Sequence, residues 1–284
     1  FVESIDTFIK DLQRAKPTVF QSVPRLWLKF QAGVLSKISS NKLDLLLRIP
    51  VLSRFVRKSI LKDLGLDKCK LALSGSAPIP PELILWYRNL GLELLEGYAL
   101  SENFCYSHFS QPGHTRAGYV GSCMPGVHHK ISASGEILVK SPCSMVRYHK
   151  LEGETKKTFT EDNYLKTGDR GEFDDHGRLK ITGRVKELFK TSGGKYVAPA
   201  PIENLLNSWP IVELSCISGV GRLACYGLLV LSDEIRHALD QKNNRDRVHQ
   251  KLLDLLHKTN EKLEHHEKIR FLVVVKEEWR IDNE

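Results

Sequence analysis

The sequence predicts an α/β multi-domain protein, and three observations lead to this expectation. Two short apolar segments, 70–73 and 93–95, predict buried strands that each end in small or polar residues before a helix. From about residue 107 the chain is rich in glycine, proline and short apolar runs, which predicts a β-rich subdomain. After about residue 186, helical and strand patterns alternate for roughly a hundred residues, enough for a domain of its own.

The predicted boundaries follow from these changes in pattern. Residues 1–185 form the C-terminal part of a large parallel-sheet α/β domain, whose β-rich subdomain covers about 107–183. Residues 186–284 form a small α+β domain that we expect to be truncated at its end. The chain begins on Phe1 rather than Met, so we expect it to be part of a longer protein.

Composition limits the kind of protein and its compartment. With 284 residues, 41% apolar and 27% charged, the chain can bury a substantial core, and no apolar run is long enough to predict a membrane span. Six cysteines without CxxC spacing predict free thiols in a reducing, cytoplasmic compartment. The net charge of +8 suits a polyanionic ligand or an anionic membrane face. Since no basic stripe carries interleaved aromatic residues, we expect no nucleic acid partner.

The first elements are predicted from helical spacing and prolines. Apolar residues predict a helix over Glu3–Leu12, and Thr18–Phe20 predicts a buried strand. Pro24 sits where the first turn of a helix tolerates proline, so a second helix is expected through about Ile38. A third helix over Arg48–Leu64 combines five cations with an apolar stripe. Its basic face is either simply solvated above the core or a surface that contacts anionic lipid.

Two strand ends carry the residues with the clearest chemistry. Ser74–Pro78 is a run of small residues after the first strand, and Gly97–Glu102 supplies an aromatic ring, a hydroxyl and a carboxylate after the second. Each is predicted to precede a helix. Because ligands bind at the carboxyl ends of strands in open α/β sheets, we expect the two ends to lie side by side at a ligand site. Tight turns with no ligand remain the alternative explanation for each run alone.

The β-rich part is predicted to contain three short strands, at Gly118–Gly121, Pro125–Val127 and Gly135–Val139. None of its histidines shows the helical spacing of a zinc site with a third ligand, so we predict no bound zinc. These histidines are expected to lie on the surface: His108, His114, His128, His129 and His149.

The stretch from Tyr164 to Glu203 is the densest part of the sequence. It is predicted to contain a turn with an acid (Thr167–Asp169), a short hairpin, a basic segment (Arg184–Lys190) and a glycine pair. The remaining periodicity predicts a helix, two strands, a long helix and a last strand: Ala200–Ser208, Ile211–Ser218, Ala224–Ser232, a leucine-rich helix from about Val248 to Leu263, and Ile269–Val275.

Together these residues suit a nucleotide. Tyr98 can stack on a purine while the backbone of Gly75–Pro78 passes beneath it. Asp169 can accept hydrogen bonds from ribose hydroxyls, and Arg184 can donate to ribose or phosphate. Ser101 and Glu102 offer a hydroxyl to phosphate and a carboxylate to Mg²⁺. Taken singly, each of these residues has a common structural role, so only their combination predicts a nucleotide site.

Five ordered motifs resemble the long-chain fatty acid acyl-CoA synthetases (AMP-forming) of the adenylate-forming superfamily. The resemblance covers almost the whole chain, in the family's order and spacing. The motifs are Lys16-Pro17-Thr18 with Val23–Trp27, Gly75-Ser76-Ala77-Pro78, Gly97–Glu102, Tyr164–Asp169 and Gly183–Pro199.

The resemblance implies two half-reactions, in which a fatty acid first forms an acyl-adenylate with ATP and then passes to coenzyme A. It implies catalytic roles for Ser101, Glu102 and Lys190, with Glu102 binding Mg²⁺. It also implies a C-terminal domain that moves about a hinge at Lys186. The remaining roles are nucleotide contacts by Gly75, Ser76, Ala77, Pro78, Gly97, Tyr98, Ser101, Asp169 and Arg184, and a coenzyme A path along Ser192, Gly193 and Gly194.

Some features depart from the family pattern. The phosphate loop and the C-terminal lysine that the family uses for adenylation are not among residues 1–284. We therefore expect this chain alone to adenylate poorly. Smaller departures are Ser76, Ala99, Ser101 and Gly183 where relatives have other residues, and Ser101 keeps the required hydroxyl. Two alternatives stay open: a ligase whose acceptor is an acyl carrier protein, and a non-catalytic protein that binds a nucleotide or an acyl group.

Overall fold

The computed structural model describes residues 4, 7–239, 244–276 and 279. The chain divides into two compact units, a first unit of Phe1–Thr167 with Gly171–Ile181 and a second unit of Gly168–Arg170 with Thr182–Glu284. Among the described residues, no helix is both long and apolar enough to cross a membrane.

The first unit is a mixed α/β structure. Its N-terminal elements are α1 (Phe8–Ala15), β1 (Val19–Ser22), α2 (Pro24–Leu35), α3 (Ser40–Arg48), α4 (Pro50–Asp63), β2 (Leu71–Ser74), α5 (Pro81–Asn89) and β3 (Leu94–Tyr98). A 3₁₀ turn at Ser101–Asn103 is followed by β4 (His108–Phe109), β5 (Ser122–Cys123), β6 (His128–Ile131), β7 (Glu136–Lys140), α6 (Glu152–Thr158), β8 (Leu165–Phe173) and β9 (Leu179–Arg184). The middle of β8 (Gly168–Arg170) and the end of β9 from Thr182 belong to the second unit.

The larger sheet confirms the predicted parallel arrangement. Strands β1, β2 and β3 lie side by side and parallel, with Ser74 of β2 opposite Glu96 of β3. Strands β4 and β5 extend the sheet in antiparallel fashion. The carboxyl ends of β2 and β3 therefore meet at one edge, as the sequence predicted. The helix expected after Glu102 is only a 3₁₀ turn, which ends at Phe104 in a left-handed conformation (φ 53°).

A buried aromatic cluster holds the helices against this sheet. The rings of Trp27 on α2 and Tyr87 on α5 meet edge to face, with centroids 5.0 Å apart. The Tyr87 hydroxyl donates to the Trp27 carbonyl (2.7 Å), and the Trp27 indole N–H donates to the Leu73 carbonyl (3.3 Å). Because both side chains are fully buried, these bonds fix α2 and α5 relative to each other and to β2.

The predicted helix over Arg48–Leu64 is wrong in its first turn. Ile49 is extended (φ −86°, ψ 112°) because proline disfavours a helical conformation in the residue before it, and α4 begins at Pro50. Helix α3, which precedes this break, was not predicted. The predicted apolar stripe is also only partly buried, since Leu52 and Phe55 are 38% and 68% exposed.

The β-rich part folds as a four-stranded sheet in the order β6-β7-β8-β9, around buried Val120, Ile137 and Leu179. Strand β7 confirms the strand predicted at Gly135–Val139. Two of the predicted strands are wrong, since Gly118–Gly121 is a turn and loop with one bridge from Gly121, and Pro125–Val127 is a turn before β6. Thr167–Asp169 lies inside β8 rather than in a turn, and α6 was not predicted.

The second unit is built on a three-stranded sheet. After a hairpin of β10 (Phe189–Lys190) and β11 (Tyr196–Val197) come α7 (Pro199–Asn207), β12 (Val212–Ser218), β13 (Cys225–Leu231), α8 (Asp233–Leu239), α9 (Arg245–Asn260) and β14 (Ile269–Val274). Strand β13 lies between antiparallel β12 and parallel β14. Buried leucines and isoleucines of α7, β13 and α9 form its core, which confirms the helices and strands predicted after residue 199.

Candidate functional site

The sequence-predicted site residues fall into two groups, one in each unit. Gly75, Ser76, Ala77, Pro78 and Gly97 to Glu102 belong to the first unit, at the carboxyl ends of β2 and β3. Asp169, Arg184, Lys186, Lys190 and Ser192 to Gly194 belong to the second unit.

At the end of β3 the packing requires glycine at residue 97, whereas at the end of β2 there is room for a small side chain at residue 75. A Cβ on Gly97 would lie 2.8 Å from the Phe109 ring, so a side chain there would displace that ring. A Cβ on Gly75 would lie 3.6 Å from the Gly97 carbonyl oxygen. Beyond Gly75, Ser76 adopts a positive φ of 69°, and residues 76–78 are exposed. The result is an open backbone surface beside Tyr98 that a flat ligand could approach.

Tyr98 is supported by a buried histidine that the sequence did not identify as such. His108 pairs with Tyr98 across β3 and β4, and their ring centroids are 6.1 Å apart. The His108 and His129 rings stack at 5.0 Å, with 2.7 Å between Nε2 and Nδ1. Burial, with a smaller contribution from the charge on His129, lowers the pKa of His108 to about 3, so His108 is neutral at physiological pH.

The prediction that these histidines lie on the surface is therefore wrong for His108, which is 2% exposed. Only the pairing of β4 with β3 reveals its position, and a local sequence pattern carries no signal of that pairing. Among the described residues, no group of three or more potential metal-binding side chains is present.

Glu102 is held in place by Tyr148, a residue that sequence reasoning missed. The Tyr148 hydroxyl donates to Glu102 Oε1 at 2.7 Å, and the Met145 N–H donates to the Glu102 carbonyl at 2.6 Å. The hydrogen bond to Glu102, with burial second, raises the pKa of Tyr148. Asn103 accepts a hydrogen bond from the Leu100 N–H (3.0 Å), which fixes the turn that carries Ser101 and Glu102.

The donor set around Glu102 fits a magnesium ion that is bound mainly by other ligands. The protein offers one half-buried carboxylate beside the exposed hydroxyl of Ser101. Mg²⁺ in phosphate-transferring sites is usually held by one or two carboxylates, while substrate phosphates and water complete the shell. Glu102 is thus suited to hold an ion that arrives with a polyphosphate.

In the second unit, Asp169 and Arg184 lie together. Arg184 Nε is 3.2 Å from Asp169 Oδ1 and its Nη1 is 3.8 Å from Glu187 Oε1, while 65% of the Arg184 side chain stays exposed. The Val185 N–H donates to the Gly168 carbonyl (2.8 Å), which joins β8 to the segment after β9. A buried carboxylate acceptor and a largely exposed guanidinium donor are therefore adjacent, and together they offer the two kinds of group that a ribose hydroxyl pair can bond.

The other predicted residues of the second unit are exposed. Lys186 lies in the turn between β9 and β10. Lys190 ends β10, with its ammonium group 5.5 Å from the Tyr196 ring. Residues 192–194 form the tip of the β10–β11 hairpin, where Gly194 has a positive φ of 79°. The Ser192 N–H donates to the Arg222 carbonyl at 2.9 Å, which anchors one side of this tip.

Small residues and a carboxylate-bearing turn at the carboxyl edge of a parallel sheet are the features of nucleotide-binding α/β proteins. The chain belongs to the AMP-binding enzyme family: residues 2–149 match the AMP-binding enzyme model, and residues 187–280 match the AMP-binding enzyme C-terminal domain.

Curated relatives include fatty acid ligases. The chain is 33% identical over 270 residues to the long-chain-fatty-acid–CoA ligase FadD15 of Mycobacterium bovis, covering 86% of this chain and 45% of the relative. It is 30% identical over 271 residues to mouse long-chain-fatty-acid–CoA ligase 6, covering 85% of this chain and 39% of the relative. The chain therefore spans less than half the length of these relatives.

A solved structure supports the fold. The adenylation domain of the carboxylate reductase from Mycobacterium chelonae aligns with a TM-score of 0.75 and 21% identity, covering 98% of this chain and 44% of that chain. This likeness confirms the expected α/β architecture with a small C-terminal domain.

Proposed function

We propose that this chain forms part of a ligase that activates a long-chain fatty acid with ATP and transfers the acyl group to coenzyme A. The observation that carries the proposal is the parallel pairing of β2 with β3. It brings Gly75–Pro78 and Gly97–Glu102, which follow the paired residues, to the same edge of the sheet. Membership in the AMP-binding enzyme family supports binding of an adenine nucleotide there. The names of the relatives support a long-chain fatty acid and coenzyme A as the other substrates.

In the first half-reaction, a fatty acid carboxylate oxygen attacks the α-phosphorus of ATP, and the bond to pyrophosphate breaks. Tyr98, supported by His108, would stack on the adenine, and Ser101 would donate a hydrogen bond to a phosphate oxygen. Asp169 and Arg184 would hold the ribose. Glu102 would hold Mg²⁺, which when bound offsets negative charge on the phosphates. These residues mainly orient the reactants and stabilise charge.

In the second half-reaction, the thiol sulfur of coenzyme A attacks the acyl carbonyl carbon, the bond to AMP breaks, and the thiol proton is released. Lys190 and residues 192–194 would line the path of the thiol, where glycine permits close approach of the backbone. Lys186 would be the hinge between a large domain of 1–185 and a mobile small domain of 186–284. Its position in an exposed turn supports this role, because such a residue can change its backbone angles without disturbing a core.

Nucleotide binding by this chain is the first test. Tyr98→Ala should weaken AMP binding roughly tenfold, as expected for loss of one base–aromatic stack. Tyr119→Ala, at another half-buried tyrosine of the first unit, is the matched control and should bind AMP normally. Calorimetric titration measures both. Equal affinities for AMP in the two variants would refute the assigned stacking residue.

Pyrophosphate release by the whole protein tests the chemistry. Release that depends on a long-chain carboxylate, followed by thioester formation with coenzyme A, is the expected result. Thioester formation only with an acyl carrier protein would instead identify that acceptor. Nucleotide binding without pyrophosphate release from any carboxylate would support the non-catalytic alternative. Glu102→Gln should raise the Mg²⁺ concentration needed for half-maximal ATP binding, with Glu161→Gln as an exposed control.

The hinge has its own test. Lys186→Pro restricts φ at one position, so in the whole protein it should slow thioester formation while leaving acyl-adenylate formation near the wild-type rate. Asp175→Pro, in the exposed Asp174–Gly177 turn of the first unit, controls for a general effect of proline. If both half-reactions slow equally in the Lys186 variant, the hinge assignment is wrong.

Peripheral contact with an anionic membrane is a further part of the proposal, in a reducing, cytoplasmic setting that the six free cysteines support. At the start of α4, exposed Val51 and Phe55 adjoin the exposed cations Arg54 and Lys58. Reversing both charges (Arg54→Glu, Lys58→Glu) should weaken binding to phosphatidylserine-containing vesicles at least tenfold. The double reversal Lys195→Glu and Lys268→Glu in the second unit is the control. Equal vesicle binding by both variants would contradict this contact.

A further inference from the structure

The carboxylate of Glu102 is contacted by a side chain from a segment that lies far from it in sequence. Residues 141–148 follow β7, within the first unit. At the end of this segment, the Tyr148 hydroxyl donates a hydrogen bond to Glu102 Oε1 over 2.7 Å. Because a carboxylate can only accept, the phenol is the donor. The bond therefore engages one of the two carboxylate oxygens and leaves the other, Oε2, out of it.

The backbone around Tyr148 is fixed at two points. The Tyr148 N–H donates to Thr155 Oγ1 of α6 over 3.0 Å. Three residues earlier, the Met145 N–H donates to the carbonyl oxygen of Glu102 over 2.6 Å. The phenol is thus held at the Glu102 carboxylate by bonds that do not involve its own hydroxyl.

The turn that carries this carboxylate does not depend on the phenol for its backbone conformation. Phe104 and Cys105 have positive φ values of 53° and 55°, a costly conformation for residues with side chains, so their surroundings must hold them. The Ser141 hydroxyl does so by donating to the carbonyl oxygen of Tyr106 over 2.9 Å. Removing the Tyr148 hydroxyl should therefore free the carboxylate without releasing the turn.

The number of carboxylate oxygens that remain available affects which divalent ion is favoured. Ca²⁺ takes roughly six to eight oxygen ligands and accepts both oxygens of one carboxylate, whereas Mg²⁺ demands near-octahedral geometry. The two oxygens of one carboxylate lie too close together to fill two octahedral positions. A carboxylate with one oxygen engaged by a phenol is therefore better suited to Mg²⁺ than to Ca²⁺.

We propose that Tyr148 is a positioning residue that makes Glu102 a one-oxygen ligand, through Oε2, and so favours Mg²⁺ over Ca²⁺ beside the nucleotide. Tyr148 acts only through Glu102, which is the residue that meets the ion. This inference rests on the proposed function in one respect, because Glu102 must hold the ion that accompanies ATP.

Nucleotide binding by the whole protein, measured by calorimetry without a fatty acid, tests this role apart from activity. In Tyr148→Phe, ATP should bind more weakly with Mg²⁺ and more tightly with Ca²⁺. The ratio of the two affinities should fall about tenfold, the size of effect expected for one hydrogen bond to a charged group. Tyr119→Phe, at another half-buried tyrosine of the first unit, is the matched control and should keep the wild-type ratio. AMP without metal should bind all three proteins equally.

A double-mutant cycle separates action through Glu102 from a general effect on the site. Glu102→Ala should weaken binding of ATP with Mg²⁺ and remove the carboxylate on which Tyr148 acts. Adding Tyr148→Phe to Glu102→Ala should then change neither affinity further, since the two losses are not additive when one residue acts through the other. Additive losses would show that Tyr148 acts on the nucleotide by another route.

An unchanged ratio in a Tyr148→Phe variant that binds AMP normally would overturn the proposal. So would equal weakening with both ions, which is the result expected of a merely structural residue. Failure of the inference and failure of the proposed function are distinguishable. If Glu102→Ala weakens binding of ATP with Mg²⁺ and Tyr148→Phe leaves the ratio unchanged, only the role of Tyr148 is refuted. If Glu102→Ala has no effect with either ion, the assignment of Glu102 in the proposed function is refuted as well.

Discussion

Replacing Glu96 with glutamine should change how the stability of this protein depends on pH. Glu96 lies on β3, opposite Ser74 of β2, and is only 6% exposed. Among the described residues, Oε2 of Glu96 and the Ser74 hydroxyl have no hydrogen-bond partner. Burial raises the pKa of Glu96 from 4.5 to about 7, although a hydrogen bond from the Ile79 N–H acts in the opposite direction.

The sign of the effect follows from proton binding in the two states. Between pH 4.5 and about 7 the folded protein binds a proton at Glu96 that the unfolded chain has released. Stability from this group is therefore complete below pH 4.5 and falls as the pH rises to about 7. At about 1.4 kcal/mol per pH unit, the loss amounts to about 3 kcal/mol.

Glutamine has nearly the shape of the protonated side chain and cannot ionise. The difference in unfolding free energy between Glu96→Gln and wild type should thus move by about 3 kcal/mol in favour of the variant between pH 4.5 and pH 8. Urea unfolding at both pH values measures it, and titration of other groups cancels in the difference. Burying the glutamine amide without a hydrogen-bond partner costs free energy that does not depend on pH. This cost would lower the unfolding free energy of the variant equally at pH 4.5 and pH 8.

Glu161→Gln is the matched control. Its carboxylate is exposed in a turn, so the substitution should change the unfolding free energy equally at both pH values. A Glu96→Gln difference that stays within about 1 kcal/mol between pH 4.5 and pH 8 would refute the argument that burial of Glu96 destabilises its charged form.

Three further substitutions test packing by urea unfolding. Gly33→Ala should stabilise the protein by about 1 kcal/mol because alanine favours the interior of α2 and meets no neighbour there; a loss would mean that the position is not open. Tyr87→Phe should cost about 1 kcal/mol because it removes the buried hydrogen bond from the Tyr87 hydroxyl to the Trp27 carbonyl, and no change would show that this bond makes no net contribution. Gly121→Ala should cost more than about 3 kcal/mol, since its Cβ would lie 2.2 Å from the Phe109 backbone at a φ of 93°; a mild effect would contradict that contact.

The predictions that were confirmed rest on local pattern. Strand β2 with its small residues, helix α5 and the leucine-rich face of α9 each depend on periodicity or turn chemistry within one short segment. The parallel pairing of β2 with β3 followed from alternating strands and helices. The assigned roles of the site residues stay predictions.

The errors arose where a local signal competed with a neighbour or a distant partner. Pro50 divided an apparently continuous helical pattern because it forces Ile49 to be extended. Thr167–Asp169 contains a glycine that suggests a turn, yet the segment is held in β8, between β7 and β9 of its sheet. Glycine tolerates both conformations, so its presence alone did not decide between them.

By itself, the sequence determined the α/β class, the order of most elements and the two strand ends that meet at one edge, because each depends on residues a few positions apart. Only the tertiary structure decided which side chains support that edge. Tyr148 reaches Glu102 across 46 residues of sequence, and His108 is buried against Tyr98 because β4 folds back on β3. Burial and partner choice depend on the distance in space between chain segments, and no local pattern encodes that distance.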